Sequence, residues 1–268
     1  MNDCRTSARS VRSLRSVILT LAIGLLFAAP VLAQDSRNER TDVSPQVSRF
    51  QQTLDTHDIP LKQPPEGKAI VVNIPAYELI VFEDAIPVFR SKVIVGAPWH
   101  RTPRMETFVS SVRIRPTWRP TPSMIASGEY RNRVWPPGPN NPLGLAAVRL
   151  EPGLLIYPHD TNRRELFSKD VRALSHGCIR VERWADLVAW VLDLPLDDVY
   201  RLANGTRTLD LPAMPIPVFI GYYLRFPDDY GQILTYPDVY RLGARASDAR
   251  EAIPATQTAM ACSPLSNG

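Results

Sequence analysis

Residues 68–95 read Lys68-Ala-Ile-Val-Val-Asn-Ile-Pro-Ala-Tyr-Glu-Leu-Ile-Val-Phe-Glu-Asp-Ala-Ile-Pro-Val-Phe-Arg-Ser-Lys-Val-Ile-Val95. Three apolar runs lie here: Ala69 to Ile74, Tyr77 to Phe82 and Val88 to Val95. Pro75-Ala76 separates the first two, and Glu83-Asp84-Ala85 precedes the third. Short runs of β-branched and aromatic residues bounded by turn formers specify strands. Spacers this short join antiparallel neighbours. The stretch therefore predicts a three-stranded antiparallel meander.

Further strands are expected on both sides of the middle of the chain. Phe108 to Ile114 reads as one strand, and Leu154 to Tyr157 as a buried strand ending at His159. Pro217 to Phe226 and Gln232 to Tyr236 read as late strands that close the sheet. Between Arg115 and Gly144 prolines dominate, predicting a stiff loop with a short helix near Ser123 to Tyr130. The one clear helix follows Cys178: Trp184, Leu187, Val188 and Val191 fall at i, i+3, i+4 and i+7, and Pro195 stops it. With 26 prolines against 13 glycines, turns and edge strands outweigh long helices. The expected class is mostly β with a few peripheral helices.

The ends of the chain read differently. Arg5, Arg9, Arg12 and Arg15, then the apolar Val17 to Phe27, then Val31-Leu32-Ala33 have the layout of a signal peptide over residues 1–33, cleaved after Ala33. The other reading is an uncleaved membrane anchor. Cleavage removes four arginines and one aspartate, so the net charge of +4 falls to +1. No basic stripe remains that would argue for nucleic acid. Residues 34–66 read as a polar linker carrying a short amphipathic helix, Val43 to Thr56, with Val43, Val47, Phe50 and Leu54 on one stripe. Residues 67–243 form the main domain, and 244–268 read as a disordered tail. No feature argues for an oligomer.

The chemistry concentrates in Ser175-His176-Gly177-Cys178-Ile179-Arg180-Val181. Of three cysteines, Cys4 leaves with the signal peptide, so Cys178 and Cys262 remain. A disulfide between them is one outcome in an oxidising compartment. A free Cys178 is the expected one, because Cys262 sits in the tail. A thiol attacks carbonyls as thiolate and needs a base or a positive partner. His176 stands two residues before Cys178, and His159 stands 19 before it. His176 is open between ligand, base and positioning residue. Arg180 is open between an ion-paired arginine and a clamp for a substrate carboxylate. The N–H groups of Gly177 and Cys178 are candidates for an oxyanion hole. Zinc would need more ligands than His57, His100 and the acidic residues convincingly supply, so no metal and no cofactor are expected.

The seven-residue run, with His159 upstream, resembles the signature of the L,D-transpeptidase (YkuD-type) family. Val72 to Leu79, Val95-Gly96, Arg101-Thr102-Pro103, Asn141 to Gly144, His159-Asp160-Thr161 and Asp170 to Leu174 are similar to family segments as well. The likeness spans roughly residues 67 to 243 and is nearest to the catalytic domain of large Gram-negative periplasmic members. It implies a β-sandwich or barrel-like catalytic domain and a periplasmic location. It implies Cys178 as nucleophile and His159 as proton donor and acceptor. Asp160 would orient His159 through its carbonyl, and Ser175, His176 and Gly177 would line the site. Trp118, tentatively with Arg180, would contact substrate, although Trp118-Arg119-Pro120 departs from the family's usual run.

The implied activity is acyl transfer from a peptidoglycan tetrapeptide stem, releasing D-alanine, to an amine on a second stem, giving a 3→3 cross-link. Water as acceptor would make the enzyme an L,D-carboxypeptidase. A protein lysine would make it an anchoring or releasing enzyme. A wall-binding module without catalysis is the rival from another class. The 33 residues between the expected cleavage site and Gly67 are too few for the N-terminal scaffold and wall-binding module of the large members. Recruitment to the wall is expected to be weak, borrowed, or done by the catalytic domain itself.

Overall fold

The computed structural model describes residues 45–61, 64 and 66–243. The signal-peptide reading of 1–33, the first part of the linker and the tail 244–268 lie outside these residues.

The opening meander forms as its runs predict. Strand β1 (Lys68–Asn73) pairs antiparallel with β2 (Glu78–Glu83), and β2 with β3 (Ile86–Gly96). The first two runs are apolar on both faces, apart from Asn73 and Glu78, because both faces are covered. Ile70, Val72, Leu79, Val81, Val93 and Val95 enter the main core. Their neighbours Ala69, Val71, Ile80 and Phe82 enter a second, smaller core. Helix α1 (Pro45–Thr56) closes that second core with Phe50 and Leu54, four residues apart on one face. The Phe50 and Phe82 rings lie 5.2 Å apart, and Phe226 packs edge-on to Phe50. Each such ring or leucine contributes about 2 kcal/mol when fully buried.

The expected strand Phe108 to Ile114 is corrected: it is two strands, β4 (Met105–Phe108) and β5 (Ser111–Ile114), with different partners. The cause lies at the two residues between them. Val109 N–H donates to Ile216 O and Ser110 N–H to Arg149 O, both at 2.9 Å, so successive amides turn to different neighbours. The strand order is β10-β5-β6-β7-β9-β3-β2-β1-β11-β4, where β6 is Ala146–Arg149, β7 Pro158–His159, β9 Ile179–Val181, β10 Leu209–Pro212 and β11 Pro217–Gly221. Because β4 and β5 stand near opposite ends of this order yet adjoin in sequence, the sheet must curl back on itself. Strand β8 (Ala173–Ser175) pairs with β3 beside that path.

Three other expectations change. Leu154 to Tyr157 is not a strand; the pairing segment is Pro158–His159, displaced toward the chemistry. The late run splits into β11 and β12 (Arg225–Pro227), and β12 pairs with β13 (Ile233–Thr235) as a separate hairpin. The short helix α2 is Pro122–Ala126, with Thr121 Oγ1 accepting from Met124 N at its start. Helix α3 (Trp184–Leu192) matches its predicted stripe. Pro195 ends nothing further: it stands at the N-cap of a second helix, α4 (Leu196–Ala203), a position that proline's fixed φ tolerates.

Candidate active site

Two strand ends carry the site. β7 and β9 run parallel, with His159 opposite Arg180. Cys178 immediately precedes β9, so this register draws His159 toward it. On the other side β8 is held to β3, with Ser175 opposite Gly96. The turn from Ser175 to Cys178 links β8 to β9, and both strands border β3.

That turn is tied from within. The Ser175 hydroxyl, almost fully buried, donates to Cys178 O at 2.6 Å and accepts from Gly177 N at 3.1 Å. Gly177 has φ of 111°, a conformation glycine takes without Cβ strain. Thr102 Oγ1 donates to Gly177 O and accepts from Gly96 N, both at 2.8 Å. Tyr240 Oη donates to Gly96 O at 2.7 Å and accepts from Thr102 N at 3.2 Å, so the late chain buttresses the loop. An oxyanion at this turn competes with Ser175 for the Gly177 N–H.

Asp160 is a buried hub behind His159. Its Oδ2 accepts from Leu145 N and its Oδ1 from Arg164 Nη1, both at 2.9 Å. Burial raises its pKa, while backbone donors at Leu145 and Thr161 and the Arg164 charge oppose the rise. Gly144 stands against it with φ of +65°; a Cβ there would lie 2.3 Å from Asp160 Oδ2. The Asp160 carbonyl is bonded by His159 Nδ1. A carbonyl only accepts, so Nδ1 carries the proton and Nε2 the lone pair. Burial, reinforced by the Arg180 charge, lowers the His159 pKa to about 3, against backbone hydrogen bonds at Asp160 and Leu143. In this state His159 is a neutral base.

One pocket collects most of the sequence-expected residues. His159, Ser175, His176, Cys178, Arg180 and Trp118 line it, with Met124, Tyr130, Pro142 and Leu143. Gly177 and Asp160 stand behind it as described. His176 Nε2 lies 3.0 Å from Glu129 Oε2, and its ring stacks on His100 at 4.4 Å. Burial lowers its pKa; Glu129 opposes this, and His100 and Arg180 add to it. Trp118 is buried edge-to-face against Tyr130 at 4.8 Å and bridges to Trp135 through both backbone groups. Asn141 anchors the proline-rich loop, donating to Pro116 O and Pro136 O and accepting from Leu143 N.

Cys178 is only 4 % exposed, with Sγ 3.4 Å from Leu155 O. The expectation of a free thiol is corrected: Cys178 is disulfide-bonded, and its partner lies outside the described residues. Among the described residues no cluster of three or more His, Cys, Asp or Glu could hold a metal ion.

Sequence reasoning missed Glu129, Tyr130 and Met124 as site residues. They sit in a proline-rich segment without hydrophobic periodicity, where only the fold shows what they face. By sequence His100 stands out only as an unconvincing zinc ligand; in the structure it stacks on His176.

Residues 67–220 match the family model described as YkuD, the L,D-transpeptidase catalytic domain. A provisionally named L,D-transpeptidase of Haemophilus influenzae is 28% identical over 214 residues, covering 64% of this chain and 44% of that protein. The provisionally named L,D-transpeptidase ErfK/SrfK of Escherichia coli K12 is 34% identical over 122 residues, covering 42% and 37%. The chain thus spans under half the length of these curated relatives. Among solved structures, an L,D-transpeptidase from Mycobacterium smegmatis is similar with a TM-score of 0.37 at 17% identity, covering 57% of this chain and 58% of that one.

Proposed function

Because the chain belongs to the L,D-transpeptidase catalytic-domain family, with the match running from residue 67 to 220, we propose that it is a peptidoglycan L,D-transpeptidase with Cys178 as nucleophile and His159 as its base. The observation that carries this reading is His159 and Cys178 lining one pocket while the Asp160 carbonyl fixes Nδ1, leaving Nε2 as the lone-pair nitrogen.

The mechanism has two steps. Reduced Cys178 gives its proton to His159 Nε2 and attacks the carbonyl of the third stem residue, at its L-centre. The C–N bond to the terminal D-alanine breaks, and the imidazolium protonates the leaving amine. An amine of a second stem then attacks the thioester, an amide forms, and Cys178 leaves. A 3→3 cross-link results. Backbone N–H groups at Cys178 and Gly177 would hold the tetrahedral oxyanion, the latter shared with Ser175. Arg180 and Trp118 are proposed to contact substrate.

In this reading residues 67–243 are the catalytic domain, 34–66 a linker whose helix packs on it, and 1–33 a signal peptide for export to the periplasm. N-terminal sequencing of the protein from that compartment is expected to begin at Gln34. A chain beginning at Met1 in the membrane fraction would make the segment an anchor.

The decisive assay uses protein treated with a dithiol to free Cys178, incubated with purified tetrapeptide muropeptides. Mass analysis is expected to give cross-linked dimer with loss of D-alanine. Trimmed tripeptide alone would mean carboxypeptidase activity. No change after reduction would sink the catalytic reading and favour a wall-binding module.

A further inference from the structure

Ser175 and Thr102 hold different parts of the turn that carries Cys178. Ser175 bonds Gly177 N and Cys178 O, which belong to the first and third of three successive peptides. The middle peptide, joining Gly177 to Cys178, is held at Gly177 O by Thr102 Oγ1, at 2.8 Å. Gly177 lacks a Cβ, so sterics do little to fix the tilt of that plane. Thr102 is 1 % exposed, and its single hydroxyl proton has a defined direction. Gly96 N–H donates to Oγ1, so Oγ1 in turn donates to Gly177 O. The Thr102 backbone is held by Tyr240, whose Oη accepts from Thr102 N and donates to Gly96 O. Burial pushes the Tyr240 phenol up to about 12, so it keeps the proton it donates. Tyr240 stacks on Tyr222 at 5.5 Å, and its N–H donates to Tyr222 Oη at 2.7 Å. Tyr222 Oη donates to Asp238 Oδ1 at 2.6 Å. Tyr222, Asp238 and Tyr240 all lie past residue 220, where the family match ends.

We propose that Thr102 and Tyr240 are positioning residues for acyl transfer, aiming the Cys178 N–H at the developing oxyanion. The inference rests on the acyl-transfer reading above and adds two residues that touch no reacting atom. A trans peptide is planar, and its carbonyl and N–H point in opposite directions. Fixing Gly177 O on Thr102 therefore fixes the Cys178 N–H on the side away from Thr102. Donors at an oxyanion hole act by being aimed before charge develops. In the attack the S–C bond forms and the carbonyl π pair moves onto oxygen, where that N–H meets it. As the adduct collapses the pair returns and the C–N bond to D-alanine breaks, its nitrogen taking the proton from His159. Loss of the Thr102 hydroxyl takes a partner from Gly177 O and from Gly96 N, and the plane can turn about the glycine. Loss of the Tyr240 hydroxyl acts one step further back, by releasing Thr102 N and Gly96 O.

The test uses the reduced full chain, a tetrapeptide donor and two inhibitors: the tripeptide product, and the same tripeptide with an aldehyde in place of its terminal carboxyl. Cys178 adds to the aldehyde. An S–C bond forms, and the carbonyl oxygen takes the thiol proton to become a hemithioacetal hydroxyl where the oxyanion would stand. T102V is expected to lower kcat/KM for D-alanine release by about 10- to 100-fold, since it misaims an oxyanion donor without removing it. The aldehyde Ki is expected to rise by the same factor, while the tripeptide Ki stays within about twofold. T102S keeps the hydroxyl and is expected to recover most of the loss. Y240F is expected to move the same two readouts by about fivefold, the scale of one neutral hydrogen bond. Both act through one peptide, so the double variant is expected to lose less than the product of the two. If T102V does not fold, Y240F with its tripeptide control decides. Wild-type kcat/KM and aldehyde Ki in the folded variant overturn the proposal. So does a tripeptide affinity that falls together with the aldehyde affinity, which would make the role structural, or T102S as slow as T102V. Failure of the reduced wild type to release D-alanine is a separate outcome, which overturns the transpeptidase reading and the positioning roles with it.

Discussion

Cys178→Ala is expected to abolish D-alanine release from tetrapeptide stems, by about 10⁴-fold or more in kcat, because no other group can form the acyl-enzyme. The substitution removes a sulfur from a site only 4 % exposed and leaves the turn's own bonds in place. Ser175 reaches the Cys178 backbone oxygen rather than its side chain, and Thr102 holds Gly177. An unchanged circular dichroism spectrum is therefore expected beside the lost turnover. The disulfide adds a second expectation for the same assay. Wild-type protein kept oxidised should behave like the variant and recover on treatment with a dithiol. The variant should stay inactive under both conditions. Turnover by folded Cys178→Ala would remove Cys178 from the mechanism. Equal wild-type rates with and without reductant would mean that the disulfide does not form in solution.

His159→Ala is expected to lower the acylation rate by about 10²- to 10⁴-fold, or about 3–5 kcal/mol of barrier, while KM for the donor stays within a few-fold. The base acts on the proton in flight, so its loss appears in kcat. The orientation of the ring follows from the Asp160 carbonyl, which accepts only and so places the lone pair on Nε2. Burial, reinforced by the Arg180 charge, favours the neutral ring, the protonation state from which a base must start. The Asp160 hub does not depend on the ring. Its carboxylate is held by Leu145 and Arg164, and its own N–H donates to Ala146 O at 2.9 Å. Single-turnover release of D-alanine separates this effect from binding. A variant with normal kcat and only a raised KM would make His159 a binding residue.

How far the sequence carried depends on the kind of signal. Nearly unbroken apolar runs at Ala69 to Ile74 and Tyr77 to Phe82 announce strands covered on both faces, because only a doubly covered strand gains from burying successive side chains. The stripe Trp184, Leu187, Val188, Val191 announces α3 for the matching reason at helical period. The motif around Cys178 is legible as chemistry because serine, histidine, glycine and arginine have no reason to crowd an inert buried thiol.

Other features have no local signal. Phe108 to Ile114 mixes apolar and polar residues as one strand would, and its periodicity does not mark where one sheet neighbour is exchanged for another; the hydrogen bonds of Val109 and Ser110 to distant carbonyls decide that. Tyr130 lines the pocket, and Glu129 and His100 meet His176, because a proline-rich loop is pinned by Asn141 and because His100 stacks on His176. Side-chain convergence across tens of residues is a property of packing, which propensity does not encode.

The amino-acid sequence by itself determined the meander at the heart of the sheet and the helix after the motif, and it singled out the thiol and imidazole proposed here for acyl transfer, since each depends on residue type and short-range spacing. Only the tertiary structure decided the curl of the sheet, the proton position on His159, the oxidised state of Cys178 and the contact of Glu129 with His176. Each of these depends on which groups distant in sequence come within hydrogen-bond or Coulomb reach, and burial then sets what that proximity is worth.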